Sequence, residues 1–280
     1  MKIHTLHAGN FVCDGGALFG AIPKALWLRS YPCDMSNTTK LTMRCLLIDY
    51  GSRKLLIEAG VGEHYDDKTM RNNGHEETNA LKKSLQRLNL SPDDITDVLF
   101  THLHWDHCNG AVVDNNGKLN LLFPNATHWC SKKQWKHSFI SNRREQAAYY
   151  RNILDFIKIE GNMQLLEEHD TPFEHIRFRF FNGHTPGNIV PIISNNGNTY
   201  IYTGDFIPTS AHIPIIWLAS YDLYPVSSMK EKELFLKEAA DNDYILLFEH
   251  DYYTECATVC WDENRGSYLK GKFNSSKYFS

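Results

Sequence analysis

The stretch from residue 101 to residue 110 holds the densest group of side chains that could carry chemistry. Four potential metal ligands fall within six residues: His102, His104, Asp106 and His107. Imidazole nitrogens and carboxylate oxygens suit Zn²⁺ and similar first-row ions. The group follows the apolar run 98–100, which is typical of the end of a buried strand. Because a regular helix or strand would point these side chains in different directions, we predict that they converge in a loop beyond the strand.

Three further ligand-type residues follow predicted strands in the same manner. Each comes two or three residues after the end of a strand-like run: His184, Asp205 and His250. Loops beyond strand ends are where a rigid scaffold presents functional side chains. With the first group they make a set of seven ligands, five His and two Asp. Seven ligands exceed the needs of one tetrahedral zinc ion and suit two metal ions that share a carboxylate.

The elements around these loops alternate between strands and helices. Residues 43–58 predict a hairpin, and leucines at helical spacing predict an amphipathic helix over residues 76–88. Residues 131–160 are predicted to be mainly helical, either packed in the core or overhanging the site. A capping box formed by Ser228 and Glu231 predicts a helix that begins at Ser228 and ends near Ala240. Strands, helix and strand recur in both halves, which predicts an α+β fold with two packed sheets and helices outside.

Glu58 ends the second strand of the predicted hairpin, and glycines follow it at positions 60 and 62. A carboxylate beside a metal cluster can accept a hydrogen bond from the imidazole of a ligand and so orient it. A surface carboxylate at a turn is the alternative. The local sequence leaves both interpretations open.

The composition indicates a soluble, cytoplasmic protein. A chain of 280 residues could form one large domain or two small ones, and we predict a single domain over residues 1–280. Hydrophobic residues make up 42% of the chain, charged residues 22%, and the formal net charge is −4. This charge balance gives no indication of nucleic-acid binding, and no apolar run approaches the roughly 18 residues that cross a bilayer. Seven cysteines without regular spacing argue against a disulfide framework. We expect a small-molecule substrate as the partner, no nucleic acid and no membrane, and we leave a homodimer open.

Taken in order, these motifs resemble the signature of the metallo-β-lactamase superfamily of metal-dependent hydrolases. The resemblance spans about residues 40–255 and is carried by residues 102–107 (HLHWDH), 183–187 (GHTPG), 204–205 (GD) and His250. It implies a four-layered αββα sandwich with the site at the edge of the sandwich. Glu58 stands where the family usually has an aspartate.

The resemblance also implies a site for two divalent ions. His102, His104 and His184 would bind the first ion. Asp106, His107 and His250 would bind the second ion, and the carboxylate of Asp205 would bind both. Zinc fits these ligands, and Mn, Fe and Co share them. The implied reaction is hydrolysis by a metal-bridging hydroxide, in which Asp106 would help to pass the proton to the leaving group.

Within the superfamily the chain is most similar in motifs and size to the N-acyl-homoserine-lactone lactonases and to methyl parathion hydrolase. This similarity implies a small ester-like substrate, a lactone or a related ester. The chain departs from the lactonases at two positions. They carry a tyrosine three residues after the bridging aspartate, where this chain has Pro208, and they often end the GHTPG motif with a histidine, where it has Asn188.

His212 lies in the loop after the bridging aspartate and is predicted to be catalytic, through contact with the substrate or transfer of a proton. A structural histidine in a loop is the alternative. Tyr221 and Tyr224 are weaker candidates for contact with the developing oxyanion.

Three other functions remain open at this stage. A glyoxalase II-like thioesterase shares the motifs but adds a helical region after the core, whereas the roughly 30 residues after His250 predict β structure. An organophosphate hydrolase would use the same ions on a phosphotriester. A metal-bearing regulatory protein would keep the ligands without turnover. Assays on a lactone, a thioester and a phosphotriester separate these alternatives.

Overall fold

The computed structural model describes residues 1–63, 68, 73–115 and 117–279. The chain divides into two compact units. The first unit contains residues 1–11, 42–167 and 279–280, and the second contains residues 12–41 and 168–278. One domain over residues 1–280 stays a prediction. Within the described part of the chain, no helix combines the length and the apolar character needed to cross a membrane.

Strands and helices occur in both units. The strands are β1 (Lys2–Asp14), β2 (Thr38–Asp49), β3 (Lys54–Ile57), β4 (Asp97–Leu99), β5 (Val112–Asn115), β6 (Lys118–Leu121), β7 (Thr127–Ser131), β8 (Met163–Leu166), β9 (Ile176–Phe181), β10 (Asn188–Asn195), β11 (Asn198–Tyr202), β12 (Ile245–Leu247), β13 (Cys256–Asp262) and β14 (Gly266–Phe273). The α-helices are α1 (Gly15–Phe19), α2 (Lys24–Trp27), α3 (Ala80–Arg87), α4 (Trp105–Cys108), α5 (Lys132–Ile140), α6 (Arg151–Glu160) and α7 (Pro225–Asp241).

The first unit is built on a six-stranded sheet in the order β1-β2-β3-β4-β7-β8. β2 and β3 pair antiparallel, so the predicted hairpin is confirmed. β3, β4, β7 and β8 then run parallel to one another. Val98 and Leu99 of β4 are fully buried, as a central parallel strand requires. Because β3 and β4 are parallel neighbours, the residues that follow them lie at the same edge of the sheet.

Helices of the first unit begin and end close to the predicted positions. α3 buries Leu81 and Leu85 along one face, which confirms the amphipathic helix predicted for this region. The predicted helical stretch 131–160 consists of α5 and α6, and between them lies a connection over residues 141–150 that is not α-helical.

The second unit contains a six-stranded sheet in the order β14-β13-β12-β11-β10-β9. β11 and β12 are parallel neighbours, and the other pairs are antiparallel. The core of this unit includes Phe181 stacked on Phe206 at 3.8 Å, with Phe235 of α7 edge-on to both rings. Helix α7 begins at Pro225 and not at Ser228, so the predicted start is wrong. Proline is favoured in the first turn of a helix because its missing N–H needs no partner there.

Candidate metal centre

In the first unit, the predicted metal ligands of residues 102–107 lie beyond β4, and backbone hydrogen bonds join them to the segment after β3. Glu58 N–H donates to the carbonyl of Leu99 at 2.9 Å, and Ala59 N–H donates to the carbonyl of His107 at 2.9 Å. His107 and Asp106 belong to the single turn of α4, whereas His104 directly precedes it in extended backbone and His102 lies two residues earlier. All four residues are buried. The four residues thus follow β4 as predicted, but Asp106 and His107 lie in a helical turn and not in a loop.

His102 and His104 direct one ring nitrogen each at a common point. His102 Nε2 and His104 Nδ1 are 2.9 Å apart. Zinc–imidazole bonds of about 2.0–2.1 Å would place two nitrogens of a tetrahedral site about 3.3 Å apart. The pair is therefore close to the spacing that one zinc ion requires, and the residues fit a metal of this class.

Glu58 is fully buried, which supports the first of its two sequence interpretations. Its Oε1 accepts a hydrogen bond from Thr101 N–H at 2.7 Å and lies 3.6 Å from His107 Nδ1. The residue has a φ of 68°, a left-handed conformation that costs about 1–2 kcal/mol for a residue with a Cβ. The carboxylate thus faces the imidazole of a predicted ligand from a strained backbone position.

Gly110 allows the chain after α4 to lie directly against the segment after β3. Its N–H donates to the carbonyl of Gly60 at 2.8 Å, and a Cβ at this position would be 2.1 Å from the carbonyl oxygen of Ala59. Only glycine permits this approach, since the contacted atom is backbone and cannot rotate away.

We expect Gly110→Ala to lower the free energy of unfolding by about 1–3 kcal/mol, because the added methyl group must separate two hydrogen-bonded segments. The shift would also displace Asp106 and His107, so the metal content should fall. Gly117→Ala is the matched control: its φ of 85° strains an added side chain, but nothing lies within 4 Å of the new Cβ. Thermal unfolding and elemental analysis check both variants. An unchanged metal content in a folded Gly110→Ala protein would contradict the prediction.

In the second unit, Asp205 lies between two imidazoles. Its Oδ2 is 3.3 Å from His184 Nε2, and its Oδ1 is 2.9 Å from His250 Nε2. Asp205 follows β11 and His250 follows the neighbouring parallel strand β12, which explains why they meet. A carboxylate with one oxygen beside each imidazole has the geometry that a shared ligand of two ions requires.

The loop that carries His184 is held by α7. The carboxylate of Glu231 accepts hydrogen bonds from the backbone N–H groups of Asn182 and Gly183 at 3.0–3.1 Å. A Cβ on Gly183 would lie 2.3 Å from Ser228 Oγ, so the loop lies against the helix as closely as glycine allows. Glu231 therefore orders the loop before His184, rather than capping the start of α7 as the sequence predicted.

His250 is placed by the residue that follows it. Asp251 is fully buried, and its carboxylate accepts three backbone hydrogen bonds, from Ser210, Tyr253 and Thr254, at 2.8–2.9 Å. These bonds tie the turn after β12 to the loop that follows Asp205. The turn that carries His250 is thereby joined to the loop that follows Asp205.

His212 is buried, and both of its ring nitrogens are engaged. Nδ1 lies 2.7 Å from Thr209 Oγ1, Nε2 lies 2.8 Å from the carbonyl of Leu18, and the ring stacks on Phe19 at 4.9 Å. Burial lowers the pKa of His212 to about 4. These contacts favour the structural alternative over the predicted catalytic role, because neither nitrogen is directed at open space.

Replacing His212 with glutamine should change how stability depends on pH. The folded-state pKa of about 4 is below the ordinary value of 6.5, so the unfolded chain binds more protons between these values. Stability contributed by the neutral ring is therefore present above about pH 6.5 and is lost as the pH falls towards 4. We expect the advantage of the wild-type protein over His212→Gln to shrink by about 3 kcal/mol between pH 7 and pH 4. Urea unfolding of both proteins at several pH values measures the difference in their free energies of unfolding. A difference that does not change with pH would contradict this expectation.

Two carboxylates beside the predicted ligands were missed by the sequence reasoning. Glu145 Oε1 is 3.1 Å from His104 Nε2, and Asp222 Oδ1 is 3.0 Å from His184 Nδ1. Each lies about 40 residues from its histidine in the chain. No spacing rule marks such residues in a single sequence. Glu145 also follows Arg143 and Arg144, which makes it look like part of a solvated surface.

Comparison with known proteins identifies relatives over most of the chain. A family profile described as the metallo-beta-lactamase superfamily matches residues 44–250. A solved structure, a probable metal-dependent hydrolase from Staphylococcus aureus, matches with a TM-score of 0.86 and 31% identity, over 97% of this chain and 96% of that one. AidC, a dizinc quorum-quenching lactonase solved with a product, matches with a TM-score of 0.79 and 23% identity, over 97% and 95%. The latter similarity bears on the fold alone.

A curated relative matches over a shorter region. A probable metallo-hydrolase of Methanocaldococcus jannaschii is 32% identical over 135 residues, which are 48% of this chain and 48% of that protein. The match thus spans about half the length of this relative.

Proposed function

The chain belongs to the metallo-β-lactamase superfamily, and we propose that it is a metal-dependent hydrolase that uses two divalent ions. The predicted metallo-β-lactamase fold, of the α+β class, is confirmed by the family match and by the similarity to the Staphylococcus aureus structure. The family match includes all seven predicted ligands, since it runs from residue 44 to residue 250.

The contacts of Asp205 are the observation that carries the proposal. One carboxylate oxygen lies beside His184 and the other beside His250. A single ion bound beside one imidazole through one carboxylate oxygen would leave the other contact unexplained. Two ions that share Asp205, one with His184 and one with His250, account for both contacts. We propose zinc for these ions, because imidazole and carboxylate ligands suit it; the same ligands also accept Mn, Fe or Co.

Bound in this way, two divalent ions would supply a water molecule of lowered pKa and would polarise the bond that is cleaved. The side chains of the protein have separate tasks. The histidines and Asp205 hold the ions in place, and Glu58 and Asp222 orient the ligand imidazoles from behind. Asp106, in the first turn of α4, is proposed to accept a proton and to deliver it to the leaving group.

A lactone or a related small ester is the proposed substrate. The motif resemblance to the lactonases supports it. The chain after His250 forms the antiparallel strands β13 and β14, where a glyoxalase II-like thioesterase would carry helices. This difference favours the lactonase alternative.

Tyr221 is the best candidate to replace the tyrosine that the lactonases carry at the position of Pro208. Its ring lies edge-on to the ring of His184, with centroids 5.7 Å apart. Tyr224, the other candidate, is 49% exposed. We therefore propose that Tyr221, and not Tyr224, contacts the substrate oxygen.

Hydrolysis assays on purified protein of measured metal content test the proposal. The panel should contain an N-acyl-homoserine lactone, a simple aliphatic lactone, a thioester and a phosphotriester. We expect lactone hydrolysis that a chelator abolishes and that added zinc restores. Turnover of the thioester or the phosphotriester alone would contradict the proposed substrate class but would still support a hydrolase. Full metal loading with no turnover on a broad ester panel would favour a regulatory protein.

A further inference from the structure

Glu145 is a buried carboxylate in the connection between α5 and α6, over residues 141–150. Its side chain is 3% exposed. A tight turn at Asn142 places it there, since Glu145 N–H and Gln146 N–H both donate to the carbonyl of Asn142. A buried carboxylate is costly unless hydrogen-bond donors surround it. Its partners therefore indicate why it is present.

Side chains of Tyr149, His104 and His137 contact this carboxylate. Oε1 accepts a hydrogen bond from Tyr149 OH at 2.7 Å and lies 3.1 Å from His104 Nε2. Oε2 lies 2.5 Å from His137 Nε2. Gln134 Nε2 donates to the hydroxyl oxygen of Tyr149 at 2.9 Å, so the single hydroxyl hydrogen of Tyr149 is left for Glu145. Residues of α5 and of the 141–150 connection thus both help to hold the carboxylate in place.

This arrangement determines which nitrogen of His104 can bind a metal. An imidazole that donates Nε2–H to a carboxylate keeps its lone pair on Nδ1. His104 Nδ1 is the atom that lies 2.9 Å from His102 Nε2. The proton is therefore held on the far side of the ring, and the lone pair faces the partner ligand.

We infer that Glu145 is a positioning residue that holds His104 in the tautomer and orientation needed for metal binding through Nδ1. The inference rests on the proposed metal-dependent function. It also gives the predicted helical stretch 131–160 a role that neither core packing nor a lid describes: α5 and the connection after it carry the carboxylate that orients a ligand.

A purely structural role is the competing explanation, because Glu145 also joins His137 to Tyr149. The two roles differ in what they predict for metal binding. A structural carboxylate stabilises the metal-free and the metal-bound protein equally, so its loss leaves the metal affinity unchanged. A positioning carboxylate contributes more once the ion is bound, so its loss weakens metal binding.

Glu145→Gln is the test variant, since it keeps the shape of the side chain but removes the charge and one acceptor. We expect the affinity for Zn²⁺, measured by competition with a chromophoric chelator, to fall about 10- to 100-fold. Tyr149→Phe removes one hydrogen bond to the same carboxylate but leaves its contact with His104, so its loss of affinity should be smaller. Glu167→Gln, which removes an exposed carboxylate paired with Lys132 in the same unit, should bind zinc like the wild-type protein.

The tautomer can be read without any variant. In long-range ¹H–¹⁵N spectra of the metal-free wild-type protein, His104 should carry its proton on Nε2. A proton on Nδ1, or wild-type zinc affinity in folded Glu145→Gln, would overturn the inference and leave the proposed function standing. A wild-type protein that binds no zinc would overturn both.

Discussion

Asp205→Asn should abolish hydrolysis while the protein stays folded. Asparagine matches aspartate in size but presents a single acceptor oxygen, and its amide group would place N–H hydrogens where the second ion needs a ligand. In the structure both carboxylate oxygens are used, one beside His184 and one beside His250. The loss should exceed the roughly 10- to 100-fold effects typical of residues that only orient a ligand, so we expect kcat/KM to fall by more than about 100-fold.

For Asp205→Asn, both the metal content and the activity should be measured. We expect fewer than two ions per chain after dialysis, with a far-ultraviolet spectrum like that of the wild-type protein. Asp243→Asn is the control, because Asp243 is an exposed carboxylate of the same unit that pairs with Lys270. It should leave both quantities unchanged. Two tightly bound ions and high activity in Asp205→Asn would refute the shared-ligand assignment.

Asp251→Asn should produce the largest loss of stability among the substitutions considered. Three backbone N–H groups donate to this fully buried carboxylate. Hydrogen bonds to a charged acceptor contribute about 1.5–3 kcal/mol each, and a buried donor left without a partner costs about 1–3 kcal/mol. Asparagine can accept at only one atom, and its own N–H hydrogens would face another donor. We expect the free energy of unfolding to fall by about 3–5 kcal/mol, measured by urea unfolding.

A matched control for Asp251→Asn lies in the same unit. Asp262 Oδ1 accepts hydrogen bonds from the backbone N–H groups of Asn264 and Arg265 at 2.8–2.9 Å, but at a turn that water reaches. Water can replace the lost acceptor there, so Asp262→Asn should cost about 1 kcal/mol or less. Equal losses in the two variants would mean that the burial of Asp251 is unimportant. Because Asp251 fixes the turn that carries His250, zinc binding should weaken in Asp251→Asn alone.

Much of the fold could be read from the sequence because strands and turns have local patterns. The hairpin β2–β3, the helix α3 and the terminal strands β13 and β14 all follow from residue periodicity and turn residues. The start of α7 could not be read reliably. Pro225 and the capping-box pair at Ser228 offered two beginnings, and Glu231 is instead used to hold the loop before His184.

The candidate ligands could be identified from the sequence for a similar reason. A strand followed at once by a ligand-type residue is a local pattern, and it recurs for every member of the set. His212 shows the limit of this reasoning. It too follows a strand and a short loop, but its ring stacks on Phe19, which precedes it by almost 200 residues, and no local pattern records that contact.

The sequence by itself determined the family, the class of fold and which residues could hold metal ions, because these depend on residue types at short spacings. Only the tertiary structure decided which carboxylates contact the imidazoles of those predicted ligands. Glu58, Glu145 and Asp222 are brought to their histidines by strand pairing and loop packing across about 40 residues of chain or more. Burial and the direction of a lone pair are properties of these long-range contacts, and they distinguish a carboxylate that orients a ligand from one that lies in water.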